Sequence, residues 1–311
     1  MQPIISFQNV FKQFRDQNVL KGINFNIYQG ELFGLIGKSG AGKTTLLRSL
    51  IGFYKVDSGK ILYKGKEVTH NLKEIKQLFG FGTQDNCFYQ ELTCAENMRY
   101  FGKLYRLPKK RIEQNIERLL KLVGLWEFKN QIANEMSGGM QRRLDLACAL
   151  IHDPKILILD EPTTGLDPTL RRSMWELIER INLLGITIII SSHLLEEIEQ
   201  ICTKVAMIKS GRILVTGSPD QLKELYSKNE EIHLETFPGR YNIIIATLIK
   251  QGAKISYTRQ EGHKIVLYVP QAEKALHQIL HVLEELNESL LDVDVNKPSL
   301  SEVFEAFTGG K

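Results

Sequence analysis

Apolar residues recur along this chain with two periods, and the switches between them outline its elements. Leu32–Ile36, Ile156–Leu159 and Ile186–Ile190 are short, strongly apolar runs bounded by polar or glycine residues. That pattern predicts strands buried on both faces of a parallel sheet. Ile4 to about Val19 reads as strand and turn, with a second strand near Ile23–Ile27. A helix is expected over Lys43–Ile51. From about Asn86 to Leu150 the pattern turns helical: Ile112, Ile116, Leu119, Leu120 and Val123 form one stripe at helical spacing. Pro108 suits the first turn of that helix. Lys109, Lys110, Arg111, Arg118 and Lys121 fall off the stripe and predict a solvated face. Strands and helices then alternate: a helix from about Thr169 to Leu184, the strand Ile186–Ser191 and a helix over Leu194–Ile201. Such alternation argues a parallel sheet with helices on it. Val205–Lys209 and Arg212–Thr216 flank Ser210-Gly211 as a hairpin.

The composition shifts after Gly217-Ser218-Pro219 and a short helix. A strand around Ile232 and Leu234, a helix Tyr241–Lys250 and strands Lys254–Thr258 and Lys264–Val269 are expected. A helix Ala272–Leu286 and a strand Leu290–Val295 follow. The order β-α-β-β-α-β is ferredoxin-like. Ser299-Leu300-Ser301-Glu302 has the form of a capping box for a last helix through Phe307, stopped by Gly309-Gly310.

Composition narrows the function classes. At 311 residues the chain has room for two domains. A formal net charge of +4 is too small to imply a nucleic-acid partner. No apolar run approaches the length needed to span a bilayer. Met1-Gln2-Pro3 opens neither a basic segment nor an apolar core, so no signal peptide is expected. Cys87, Cys94, Cys148 and Cys202 lack CxxC spacing, which points to reduced thiols rather than to a zinc site or disulfide framework.

The candidate chemistry lies in three strings. Gly37-Lys38-Ser39-Gly40-Ala41-Gly42-Lys43-Thr44 sits between an apolar strand and a helix, the context of a phosphate-binding loop. Glycines let backbone N–H groups approach a triphosphate, and the helix adds its positive end. Lys43 should reach the β- and γ-phosphates and the Thr44 hydroxyl should ligate Mg²⁺. Asp160 ends an apolar strand, at the edge where open α/β sheets bind ligands, and can hold Mg²⁺. Glu161, on the other side of the strand end, can polarise an attacking water. Ser137-Gly138-Gly139-Met140-Gln141 opens a helix, and a serine hydroxyl with unpaired N–H groups there suits an anion.

Together these strings resemble the ATP-binding cassette family, from about residue 4 to 217. The resemblance implies ATP and Mg²⁺ as ligands and a nucleotide-contacting set of Phe14, Gly37, Lys38, Ser39, Gly40, Ala41, Gly42, Lys43, Thr44, Thr45 and Asp160. Phe14 matches the aromatic that stacks on adenine. Gln84 matches the glutamine that joins Mg²⁺ and the membrane-domain contact, so Thr44, Gln84 and Asp160 form the expected metal set. His193 matches the histidine that contacts the γ-phosphate. It joins Glu161, Lys43 and Gln84 as the expected catalytic residues. Ser137, Gly138 and Gly139 match the signature motif, which contacts ATP on a second protomer, and Asp167 lies in the loop crossing that interface. Met140 departs from the glutamine many members carry, which puts the role of Gln141 in doubt.

The expected fold class is α/β: a P-loop ATPase core with an antiparallel β subdomain and a helical signature subdomain, plus a small α+β ferredoxin-like C-terminal domain. The expected divisions are 1–217, a linker helix 218–230 and 231–311. The tail Pro298-Ser299-Leu300-Ser301-Glu302-Val303-Phe304 resembles that of ABC-2 type exporter ATPases. The resemblance implies a dimer, of two copies or of paired homologues, on the cytoplasmic face of a membrane with a separate polytopic permease. Phe88–Leu104 is a candidate groove for that permease. The absence of a long heptad insertion argues against the chromosome and repair branch. The alternative is a soluble ATP-gated clamp.

Overall fold

The computed structural model describes residues 2–68, 77–83, 87–226, 230–296 and 299–308. The chain divides into two compact units, Met1–Pro219 and Asp220–Lys311.

In the first unit, β1 (Ile5–Phe14) and β2 (Gln17–Ile27) form an antiparallel pair, joined by β4 (Ser58–Tyr63) and the short β5 (Lys66–Glu67). A second sheet holds β3 (Leu32–Ile36), β6 (Phe79–Gly82), β7 (Ile156–Asp160), β8 (Thr187–Ser192), β9 (Lys204–Lys209) and β10 (Arg212–Gly217), in the order β10-β9-β3-β8-β7-β6. Its strands run parallel, except that β10 pairs antiparallel with β9. Strands β3, β7 and β8 are buried along their whole length, as their apolar cores predict, and the burial extends to the polar Asp160, Thr187, Ser191 and Ser192. Helix α1 (Lys43–Leu50) buries Leu46, Leu47 and Leu50 in one core with Ile5 and Phe7 of β1, Leu20 and Ile23 of β2, and Phe33 and Leu35 of β3.

The helical part of this unit holds α2 (Cys94–Leu104), α3 (Lys109–Leu122) and α4 (Gly138–Leu150). Thr93 and Glu96 close a capping box on α2. The predicted stripe on α3 is buried and its basic residues are exposed. Arg111 and Arg118 pair with Asp153, and Lys121 with Glu117. Pro108 is the N-cap rather than a first-turn residue: its ψ of 145° keeps it outside the helix, and its carbonyl accepts the Ile112 N–H at 3.1 Å. Two more helices follow, α5 (Pro168–Leu183) and α6 (Leu195–Ile201).

His152, just past α4, stacks on Tyr105 at 3.6 Å and donates from Nε2 to the Phe79 carbonyl at 3.0 Å. Burial holds its pKa down to about 4, from 6.5. The unfolded chain takes up a proton that the folded chain refuses, so stability falls as pH drops through that window, by on the order of 3 kcal/mol. Asp145 on α4 acts in the opposite sense: burial raises it to about 6, and stability is lost as pH rises from about 4 through that value. We expect His152→Phe to keep the ring stack and remove the acid loss. The stability advantage of wild type over the variant should shrink from pH 7 to pH 4.5 in denaturant titrations. A constant difference would refute the assignment.

Helix α7 (Pro219–Tyr226) starts on the last residue of the first unit and opens the second. The second unit continues with β11 (Glu230–Phe237), α8 (Tyr241–Lys250), β12 (Tyr257–Glu261), β13 (Lys264–Val269), α9 (Ala272–Glu285), β14 (Ser289–Asn296) and α10 (Leu300–Thr308). Its four strands are all antiparallel, in the order β12-β13-β11-β14. Ile232, Leu234, Ile265 and Leu267 of the sheet share one core with Ile244 and Leu248 of α8 and Ile279 and Val282 of α9. Ser299 and Glu302 exchange the capping hydrogen bonds expected at the start of α10. Strand β12 starts three residues later than the sequence suggests, because its pairing with β13 begins at Tyr257↔Tyr268. Gly309 and Gly310 lie outside the described residues.

Candidate functional site

Three adjacent parallel strands deliver the candidate residues to one edge of the sheet. Ile36 at the end of β3 pairs with Ser192 of β8, and Ser191 of β8 with Asp160 of β7. Gly37, His193 and Glu161 therefore each follow the carboxyl end of a strand, side by side. This is the edge at which open α/β sheets bind ligands.

The glycine loop is braced from beneath. A Cβ on Gly37 would lie 2.5 Å from the Ile208 carbonyl of β9, so only glycine fits there. The turn between β9 and β10 supports the loop directly: the Gly211 N–H donates to the Ala41 carbonyl at 3.0 Å. Lys38, Ser39 and Gly40 are exposed on the crest, whereas Ala41 and Gly42 are buried. Gly42 caps α1 at φ 107°, outside what a side chain tolerates. Lys43 is only 5% exposed. Its ammonium donates to the Gly37 carbonyl at 2.7 Å and lies 3.5 Å from Glu161 Oε1. Thr44 and Thr45 are half-buried in the first turn of α1.

Asp160 is buried and accepts a hydrogen bond from the Ser191 hydroxyl. Glu161 is a non-glycine residue at φ 51°, a left-handed conformation that costs about 1–3 kcal/mol. Surrounding groups hold it there. Its N–H lies 3.1 Å from both the carbonyl and the hydroxyl of Ser191. Its Oε2 accepts from the Thr164 hydroxyl and from His193 Nδ1, each at 3.1 Å. An ionised carboxylate only accepts, so the facing Nδ1 carries the proton. Lys43, Glu161 and His193 thus form a continuous chain beside Asp160.

The remaining predicted residues are placed elsewhere. Ser137 is the exposed N-cap of α4, accepting from the Met140 N–H at 3.3 Å. A Cβ on Gly139 would meet Leu170 at 3.0 Å, so close helix packing accounts for that glycine. A Cβ on Gly138 would meet nothing within 4 Å, so packing within the chain does not account for this one. Gln141 donates to the Ala133 carbonyl at 3.0 Å and fastens the turn before α4. Asp167 caps α5, accepting from the Thr169 and Leu170 N–H groups at 2.9 Å. Phe14 is exposed at the end of β1, edge-on to Tyr54. Gln84 lies outside the described residues. Among the described residues, no hydrogen bond or ion pair joins Ser137, Gly138 or Gly139 to Lys43 or Glu161.

Sequence reasoning missed Ser191, Thr164 and Gly211, which hold the site's backbone. Ser191 carried a signal, as a polar residue continuing the apolar run Ile188–Ile190.

Residues 20–164 match the family profile described as "ABC transporter". The Nod factor export ATP-binding protein I of Rhizobium sp. (strain N33) is 34% identical, over 98% of this chain and 97% of its own. The chain belongs to the ABC transporter family. Another member, the linearmycin resistance ATP-binding protein LnrL of Bacillus subtilis (strain 168), is 31% identical over 98% of each chain. Among solved ABC structures, cbiO1 from Clostridium perfringens, part of the ABC transporter complex cbiONQ, superposes with a TM-score of 0.67 at 28% identity. The superposition covers 80% of this chain and 96% of that one. The fold is that of the P-loop ABC ATPases, with mixed α/β sheets.

Proposed function

We propose that this chain is the ATP-binding and ATP-hydrolysing subunit of an ABC-2 type exporter. The observation that carries this is the extent of the match. It runs through the second unit as well as the cassette, to proteins named for Nod factor export and linearmycin resistance. Export is powered by ATP-driven closure of two nucleotide-binding domains and acts through a separate permease. Among the described residues, no helix is long and apolar enough to cross a membrane. In this reading the membrane path belongs to the separate permease, and this chain works at the membrane's cytoplasmic face.

ATP is held by the loop Gly37–Thr45, with Lys43 on its terminal phosphates and Phe14 against adenine. Glu161 is the general base, and His193 orients its carboxylate and meets the γ-phosphate. A hydroxyl at Thr44 and a carboxylate at Asp160 are hard oxygen donors of the kind Mg²⁺ prefers, with Gln84 as the third expected ligand. When bound, Mg²⁺ would neutralise charge on the phosphate oxygens. Ser137, Gly138 and Gly139 serve the nucleotide of the opposite protomer. The open space beside Gly138 supports this, because a phosphate could approach the backbone there. We expect Gly138→Ala to leave the melting temperature within a degree or two while cutting ATP hydrolysis at least tenfold. Unchanged hydrolysis would remove Gly138 from the site.

The antiparallel order of the second unit supports a ferredoxin-like reading, with a dimer-stabilising or partner-contacting role. In the candidate permease groove, Phe88 is buried in the core, whereas Tyr89, Tyr100 and Leu104 are exposed. These three are the residues we assign to the permease coupling helix. The test is a pull-down of tagged Glu161→Gln protein, with ATP, from detergent-solubilised membranes. A stoichiometric polytopic partner is expected. Soluble partners alone would overturn the exporter reading and leave the ATPase chemistry standing.

A further inference from the structure

The strained backbone at Glu161 is held from one side by a residue of the signature helix. Arg142 is 7% exposed, and its guanidinium faces backbone carbonyls at the ends of two adjacent strands. Nη2 donates to the Glu161 carbonyl at 3.0 Å and Nε to the Pro162 carbonyl at 2.9 Å, just past β7. Nη1 donates to the Thr83 carbonyl at 2.7 Å, just past β6. Arginine alone offers a planar fork of donors with this reach; lysine supplies a single point of attachment.

The same side chain belongs to α4, whose N-terminus carries Ser137-Gly138-Gly139. That helix packs closely on α5, where a Cβ on Gly139 would lie 3.0 Å from the Leu170 side chain. Arg142 therefore joins the helix that carries Ser137-Gly138-Gly139 directly to the carbonyl of Glu161. The N–H of Glu161 is fixed separately by Ser191 on β8. The Thr164 N–H also donates to the Glu161 carbonyl, at 3.3 Å, so Arg142 shares that carbonyl with the local turn and brings to it the one tie that comes from the signature helix.

We infer that Arg142 is a positioning residue for ATP hydrolysis. It sets the backbone of Glu161 and ties the aim of this chain's own base to the seating of its signature helix against the partner's nucleotide. The inference rests on the reading of Glu161 as the base. It makes the partner's ATP a determinant of hydrolysis at this chain's own site, through one guanidinium.

The test is a double-mutant cycle on the full-length protein, with Arg142→Lys and Glu161→Gln. Single-turnover hydrolysis is followed by phosphate release, and nucleotide affinity by titration with a methylanthraniloyl ATP. Arg142→Lys is expected to lower the hydrolysis rate 10- to 100-fold while nucleotide affinity stays within about twofold. In the Glu161→Gln background the same substitution should cause no further loss, since both act on one group. Should the lysine variant fail to fold, Arg142→Gln is read by the same assays. A rate within twofold of wild type, or a full further loss in the Glu161→Gln background, overturns the inference. If instead Glu161→Gln alone keeps its turnover, the base assignment fails first, and the inference falls with it.

Discussion

Glu161→Gln should lower steady-state ATP hydrolysis by about 10²–10⁴-fold and trap an ATP-bound dimer. The substitution keeps the shape of the side chain and removes its basicity. The Oε2 contacts with Thr164 and His193 and the backbone anchors at Ser191 do not depend on a charge at Glu161. Binding should therefore survive while the attacking water goes unpolarised. Phosphate release and light scattering after size exclusion, each with and without ATP, check the two halves of this result. Rapid turnover by the variant would sink the base assignment. Slow turnover without ATP-dependent dimers would keep the base and reject the closure of two chains on nucleotide.

Lys43→Ala should weaken ATP binding by roughly 10- to 100-fold, the worth of one charge-assisted hydrogen bond at about 1.5–3 kcal/mol. The ammonium is buried among the loop carbonyls and faces Glu161 at 3.5 Å, so it is already held at the strand edge where the phosphates would lie. Removing it also leaves the Glu161 carboxylate without its nearest cation. Isothermal titration with ATP checks the effect. An affinity within twofold of wild type would refute the role given to Lys43.

The elements that place the site were the most legible in the sequence. The strands β3, β7 and β8 are buried on both faces, so each is written as an apolar run, and the candidate residues follow these runs directly. Strands β4 and β6 were not legible. Gly59 in β4 is required because a Cβ would lie 2.1 Å from the Asn9 carbonyl of β1, and Gly80 in β6 because one would lie 2.4 Å from the Ala149 carbonyl. Both glycines answer to neighbours distant in the chain, and glycine lowers strand propensity where it stands. Arg142 was hidden for a related reason. A charged residue in a helix reads as solvent-facing, and here its partners are carbonyls of Thr83, Glu161 and Pro162, none of them a local neighbour. The contact between the β9–β10 turn and the glycine loop likewise joins Gly211 to Ala41 across the whole cassette.

The position of β3 has a consequence for how the protein is made. Although early in the chain, β3 is hydrogen-bonded on one side to β8 and on the other to β9. Its nearer partner emerges from the ribosome about 150 residues after it, a delay of roughly 10–30 s at ordinary rates of synthesis. Through that interval the glycine loop has no floor: Ile208 and Gly211, which support it, are not yet translated. Nucleotide cannot organise the nascent N-terminal half, and an apolar strand waits unpaired. Newly made chains are thus most exposed to aggregation just before β8 appears, and truncations upstream of β9 should go to the chaperones rather than yield a working half-cassette.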